Sequence, residues 1–142
     1  MRAKQRGQVL VEFAIVAVIT ICIMLSVLEV SRMLLVYTTI ANSARAGVRY
    51  ACLHGSTRTG SGVSGPSGPA GNPAQVVAVV KNFASAGLLN TSNLVITVTY
   101  PDGTNTPGDN VIVKVVYPYD AWITYFPMTP RLGSSSQGII AF

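Results

Sequence analysis

The pattern of apolar and polar positions divides the chain into two unlike parts. From Val9 to Val36 the sequence is almost continuously apolar, and Phe13 to Leu28 contains no charged residue. A helix rises about 1.5 Å per residue, so about twenty residues cross a hydrocarbon core of about 30 Å, and Val9 to Leu28 has that length. The Ile and Val content would suit buried strands, but no turn residue interrupts the run, and a bilayer admits only helices or closed barrels. Beyond it, Tyr37, Ile40, Ala44, Val48 and Ala51 recur at helical spacing with no Gly or Pro before Gly47. The spacing predicts one helix from Gln8 to about Leu53, about 69 Å long, with a membrane span at about residues 9–30.

The remainder reads as a small domain. Residues 55–73 hold thirteen Gly, Ser or Pro in nineteen positions, the composition of a loop or linker. Asn72 and Pro73 form a helix start, a capping Asn followed by Pro in the first turn. Val76, Val80 and Phe83, with Val77 and Ala84 beside them, then give an apolar stripe to Ala86, and Gly87 ends it. Leu94 to Tyr100 and Val111 to Tyr117 alternate as two antiparallel strands joined through Pro101 to Asn110, and Gln137 to Phe142 offers a short third. The expected fold is therefore α+β: a long N-terminal transmembrane helix, then an exported domain over residues 74–142 with one helix packed on an antiparallel sheet. Below about 80 residues such a core is marginal, so packing on the long helix would help to stabilise it.

Composition agrees with this division. The chain is 49% apolar and 11% charged, with a net charge of +5. Three of its ten cations, Arg2, Lys4 and Arg6, lie in the first six residues, and without residues 1–7 the balance is 5 − 3 = +2. No basic patch for nucleic acid remains. The N-terminal cations place that end in the cytoplasm and the rest outside. Three readings compete: an uncleaved anchor, a secretory signal, and a prepilin-type leader. A secretory signal has a short apolar core closely followed by a small-x-small site, whereas here Ala44-Arg45-Ala46 lies far beyond the core. Glu12 separates the other two, because a carboxylate within an apolar span costs about 3 kcal/mol to insert and a plain anchor has no use for it.

The run Arg6-Gly7-Gln8-Val9-Leu10-Val11-Glu12-Phe13 resembles the processing site of TadE-like pseudopilins of tight-adherence (Flp-type) pilus systems. The likeness continues through Glu29-Val30-Ser31-Arg32 and the small-and-basic segment Ala41 to Ala51, with a departure at Val18, where many members have Pro. The resemblance implies a leader of residues 1–7 cut after Gly7 by a prepilin peptidase, a mature N-terminus at Gln8, and Glu12 as the fifth mature residue. It implies a structural subunit of the bacterial inner membrane or pilus rather than an enzyme. Its partners would be other pilins or pseudopilins and an inner-membrane assembly platform with an ATPase, beside membrane lipid. The alternative is an uncleaved anchored binding or adhesion module.

Physical chemistry gives the matching positions roles. A free ammonium at Gln8 and the carboxylate of Glu12, four residues on, share a helix face, and within one chain or between neighbouring helices their pairing would set axial register beside Phe13. The alternative for Glu12 is an unpaired side chain snorkelling into headgroups. Glu29 and Arg32, spaced i, i+3 and about 26 Å from Glu12, are expected as a surface pair at the outer interface. Ala41, Ala44 and Gly47 would admit a close helix or the chain's own domain, unless they serve helix propensity alone.

Other chemistry is sparse. Cys22 and Cys52 lie about 45 Å apart on one helix, too far for a disulfide between them, which leaves Cys52 as a buried thiol or an intersubunit partner. His54, the single histidine, is expected in a solvated loop, and no multi-His metal site or nucleophile-base-acid set is available. Asp102, Asn105, Asp109 and Asn110 read as turn formers rather than a calcium loop. Gly60 to Gly65 matches GxGxxG without the flanking strand, helix and acid that dinucleotide binding needs. Asn90 to Ser92 fits a glycosylation sequon. Tyr117, Tyr119, Trp122, Tyr125 and Phe126 crowd before Pro127, as cover for the sheet or as an interface patch. No cofactor, metal or small-molecule substrate is expected.

Overall fold

The computed structural model describes residues 2–58, 73–87, 90–122 and 130–141, with side chains from Gly7 onward. Helix α1 spans Arg2–Leu53, helix α2 Ala74–Ala86, a 3₁₀ turn Thr91–Asn93, and strands β1 Val95–Thr99, β2 Asn110–Pro118 and β3 Arg131–Ile139. The sheet is an antiparallel meander in the order β1-β2-β3. The fold is α+β with a long apolar N-terminal helix.

Helix α1 lives in two environments. Its residues from Gly7 to Leu35 include no buried position, whereas Val36, Ile40, Ser43, Ala44, Gly47, Val48 and Ala51 are buried at helical spacing. This stripe is closed by Val76, Val80 and Ala84 of α2 and by Val98, Val111, Val113 and Val115 of the sheet. Each fully buried Val or Ile contributes about 1.5–3 kcal/mol relative to exposure. The stripe starts at Val36 rather than Tyr37, which is 45% exposed. Phe83 is likewise 48% exposed, so the buried face of α2 runs through Val76, Val80 and Ala84 without it.

Three glycines mark where the helices and sheet meet most closely. A Cβ on Gly47 would stand 2.5 Å from Val80 Cγ2 and 3.3 Å from Val113 Cγ1, and one on Gly138 would stand 2.6 Å from both Cys52 Sγ and Val48 Cγ1. Gly87, after α2, would likewise collide with Thr39. Pro73 stands one residue before α2 instead of in its first turn, with extended ψ of 129°, and its carbonyl accepts from Val77 N at 3.1 Å. The expected capping residue Asn72, the GxGxxG run, Tyr125 and Phe126 lie outside the described residues.

The third strand differs from expectation. It runs over Arg131–Ile139 instead of Gln137–Phe142, pairing Ser135 with Lys114 and Gly138 with Val111. Its half-buried positions are Leu132, Ser134, Ser136 and Gly138, followed by buried Ile140. Most of these residues are small because α1 lies against this strand, as the contacts of Gly138 with Val48 and Cys52 show.

The end of α1 is fully accounted for. Its last four carbonyls, which lack intrahelical donors, are met from outside. Tyr50 O accepts from His54 Nδ1 at 2.8 Å, Ala51 O from His54 N at 3.2 Å, Cys52 O from Ala141 N at 2.9 Å, and Leu53 O from Arg58 Nη1. His54 is therefore not a solvated loop residue: it is 8% exposed and stacks on Tyr50 with ring centroids 3.8 Å apart. A carbonyl can only accept, so His54 Nδ1 is the donor in this bond.

Substituting Gly47 tests this packing against propensity. Helix propensity alone favours Gly47→Ala by about 1 kcal/mol. The added methyl meets a β-branched side chain with little freedom, and the expected result is a net loss of about 1–3 kcal/mol in thermal unfolding of the detergent-solubilised chain. In a Val80→Ala background the same change is expected to be neutral or stabilising; equal losses in both backgrounds would contradict the contact.

Candidate membrane and assembly surface

The N-terminal part of α1 presents its chemistry without cover from its own domain. The most apolar 18-residue window within Gly7–Leu53 has a mean hydropathy of 2.7 and no buried residue, so the helix is long and apolar enough to cross a membrane. Leu10 is 69% and Phe13 72% exposed. Glu12 is exposed among them, one turn after Gln8 on the same helix. A Cβ on Gly7 would meet nothing within 4 Å. Packing within the chain gives no reason for a glycine there, where it weakens a helix by about 1 kcal/mol relative to Ala.

The expected packing positions lie further along. Ala44 and Gly47 are buried and Ala41 is half-buried, and the surface that covers Gly47 is Val76 and Val80 of α2 with Val113 of β2. The small residues therefore receive the chain's own domain. Arg45 and Arg49 are exposed. Cys22 is exposed on the bare helix, whereas Cys52 is half-buried, and burial pushes its thiol up from the ordinary range.

Glu29 and Arg32 form more than a surface pair. Arg32 Nη1 lies 3.6 Å from Glu29 Oε1, with side-chain exposures of 29% and 20% respectively. The residues after β2 close over both. Tyr119, 2% exposed, donates its hydroxyl to Glu29 Oε1 at 2.5 Å. Arg32 Nη2 donates to Asp120 O at 3.1 Å, and its guanidinium lies 5.1 Å from the Tyr119 ring and 4.3 Å from the Trp122 ring. These contacts cross about ninety residues of sequence, and no rule of local spacing joins them. The visible signals were the unusual acid at the end of the apolar run and the crowded aromatics; their pairing was not legible.

The hairpin acids act within their own turn. Asp109 Oδ2 accepts from the hydroxyls of Thr104 and Thr106, both at 2.6 Å, and from Thr106 N at 2.9 Å. These bonds, the Thr104 hydroxyl foremost, hold its carboxyl below the ordinary range. Asp102 Oδ2 accepts from Asn110 N at 2.8 Å. Asn90 caps the 3₁₀ turn through Ser92 N at 3.0 Å. Among the described residues no cluster of His, Cys, Asp and Glu is arranged to hold a metal.

Burial and the hydrogen bond to Glu29 push the Tyr119 phenol up from its ordinary value to about 12, with the Arg32 cation opposing. Because the folded value is raised, the stability this bond contributes is present below the unfolded value near 10 and is lost as pH rises to about 12. Tyr119→Phe is expected to lower stability at neutral pH by about 1–2 kcal/mol, the range for a partly screened bond to a charged acceptor. It should also remove a phenol that titrates at about 12 from the ultraviolet absorbance curve. A tyrosine titration unchanged in its alkaline end would contradict the bond.

A family model described as TadE-like protein matches residues 7–49, so this part of the chain is similar to that family. The match takes in Gly7, Gln8, Glu12, the whole apolar run, Glu29, Arg32 and the small residues through Gly47, and it ends before α2 and the sheet. No curated protein and no solved structure matches the chain.

Proposed function

We propose that the chain is a pseudopilin or minor pilin, a structural subunit of a tight-adherence pilus or related secretion machine. It is held in the inner membrane as a preprotein with residues 1–7 cytoplasmic, and a prepilin peptidase cuts it after Gly7. The exported domain, residues 74–142 on the far half of α1, then works outside the membrane as a contact module. Other pilins and an inner-membrane platform are its partners, and its action is assembly rather than chemistry on a substrate.

The observation that carries this reading is the uncovered carboxylate of Glu12 on the bare apolar helix, one turn after a glycine that internal packing does not require. The family match over residues 7–49 supports it. In lipid or between sibling helices, Glu12 needs an opposite charge, and cleavage at Gly7 creates one at Gln8. In this reading the pairing sets the axial position of each subunit against its neighbour, and Phe13 packs beside it.

The test separates assembly from processing. Glu12→Ala and Glu12→Gln are expected to leave the chain in the membrane and still cut, while its cross-linking to pilin subunits falls about tenfold, the effect of losing a pairing worth about 1.4 kcal/mol. Cross-linking unchanged in both variants would count against the register role and favour an anchored module.

A further inference from the structure

Strand β3 forms an edge of the sheet, because the strand order is β1-β2-β3. Its nine residues pair one for one with β2, from Arg131 opposite Pro118 to Ile139 opposite Asn110, so no bulge interrupts it. Natural edges are usually blunted by a bulge, a proline or a charge, since their unpaired N–H and C=O groups accept another strand. From Leu132 to Ile139 β3 has none of these, and Gly133, Ser134, Ser135, Ser136 and Gly138 leave its backbone uncrowded. No described group outside the sheet bonds to the backbone of residues 131–139.

The flank of α1 beside that edge is cationic. Gly47 faces Val113 of β2, whereas Val48 and Cys52, further round the helix, lie against Gly138 of β3. Turning on in the same sense leads to Arg45, which at 3.6 residues per turn lies about 20° past Cys52, and then to Arg49, about 40° further. Both are exposed. The Arg45 side chain reaches Asn42 Oδ1 at 3.4 Å, and the Arg49 guanidinium has no hydrogen-bond or ion-pair partner among the described residues. No acidic residue occurs in α1 after Glu29 or anywhere in β3. The strand runs along the helix, from beside Tyr119, whose hydroxyl bonds Glu29, to beside Cys52.

A strand added to the β3 edge sets its alternate side chains on this flank of α1. Two residues of a strand advance about 6.6 Å, and Arg45 to Arg49 advances about 6 Å along the helix. Acidic side chains at i and i+2 therefore meet both arginines, in charge-assisted bonds. We propose that the β3 edge and the Arg45–Arg49 flank together dock an extended acidic segment of a partner protein, which adds a fourth strand to the sheet and lays alternate carboxylates on the two arginines. Backbone pairing supplies the seat, and the arginines select the sequence. This surface is independent of cleavage at Gly7.

Two fluorescently labelled peptides of one composition test this on the full detergent-solubilised chain: Thr-Val-Glu-Val-Glu-Val-Thr, with alternating acids, and Thr-Val-Glu-Glu-Val-Val-Thr, with adjacent ones. In an extended strand adjacent acids point to opposite faces, so only one of them meets an arginine. By fluorescence anisotropy the alternating peptide is expected to bind with a dissociation constant below about 1 mM, and about tenfold more tightly than its isomer. N-methylating its inner amides is expected to abolish binding. Arg45→Glu combined with Arg49→Glu is expected to transfer the preference to the peptide with Lys in place of Glu. No binding up to about 1 mM, or equal binding of the two isomers, overturns the proposal. An N-methylated peptide that binds as tightly as its parent also overturns it, because the arginines then attract acid without strand addition.

Discussion

The close approach of α1 to α2 and the sheet around Gly47 is the contact on which the rest of the structure depends. Residues 74–142 by themselves would have only a marginal core, and they share one with the far half of the helix, where Val36 to Ala51 supply a stripe that α2 and β2 close over. Because Gly47 and Gly138 lack a Cβ, the helix can lie deep between these elements, and the small residues of β3 follow from the same proximity. The near half of the same helix receives no such cover. One continuous element thus presents two surfaces: one end packed in the chain's own core, the other bare and apolar enough to cross a membrane.

The boundary between these two halves is where the domain is oriented. Tyr119, Asp120 and Trp122 gather on Glu29 and Arg32, seven to four residues before the buried stripe begins at Val36. A carboxylate at that level would be costly alone; the Tyr119 hydroxyl and the Arg32 guanidinium share its charge. The last carbonyls of α1 are closed in turn by His54, Arg58 and Ala141. The domain is therefore fastened to the helix at both ends of its contact, with valine packing between.

Much of this was legible in the chain because it rests on local periodicity. The apolar run, the stripe through Ile40, Ala44, Val48 and Ala51, the helix with Val76 and Val80, and the alternation of β1 and β2 are all patterns that a single element must show to bury one face. What was not legible depends on neighbours distant in sequence. Ser134, Ser136 and Gly138 lack apolar alternation because α1 fills the space their side chains would occupy, so the length of β3 was hidden. His54 looked solvated because its role as a helix cap is set by where the chain turns after Leu53. The bond from Tyr119 to Glu29 is tertiary and left no local trace.

The functional account stands most directly on the junction at Gly7. Its decisive measurement is the intact mass and N-terminal sequence of the membrane-extracted protein from cells with and without an active prepilin peptidase. The account predicts a chain beginning at Gln8 when the peptidase is active and at Met1 when it is not. A chain that begins at Met1 in both would contradict it and leave an uncleaved membrane-anchored module as the better description.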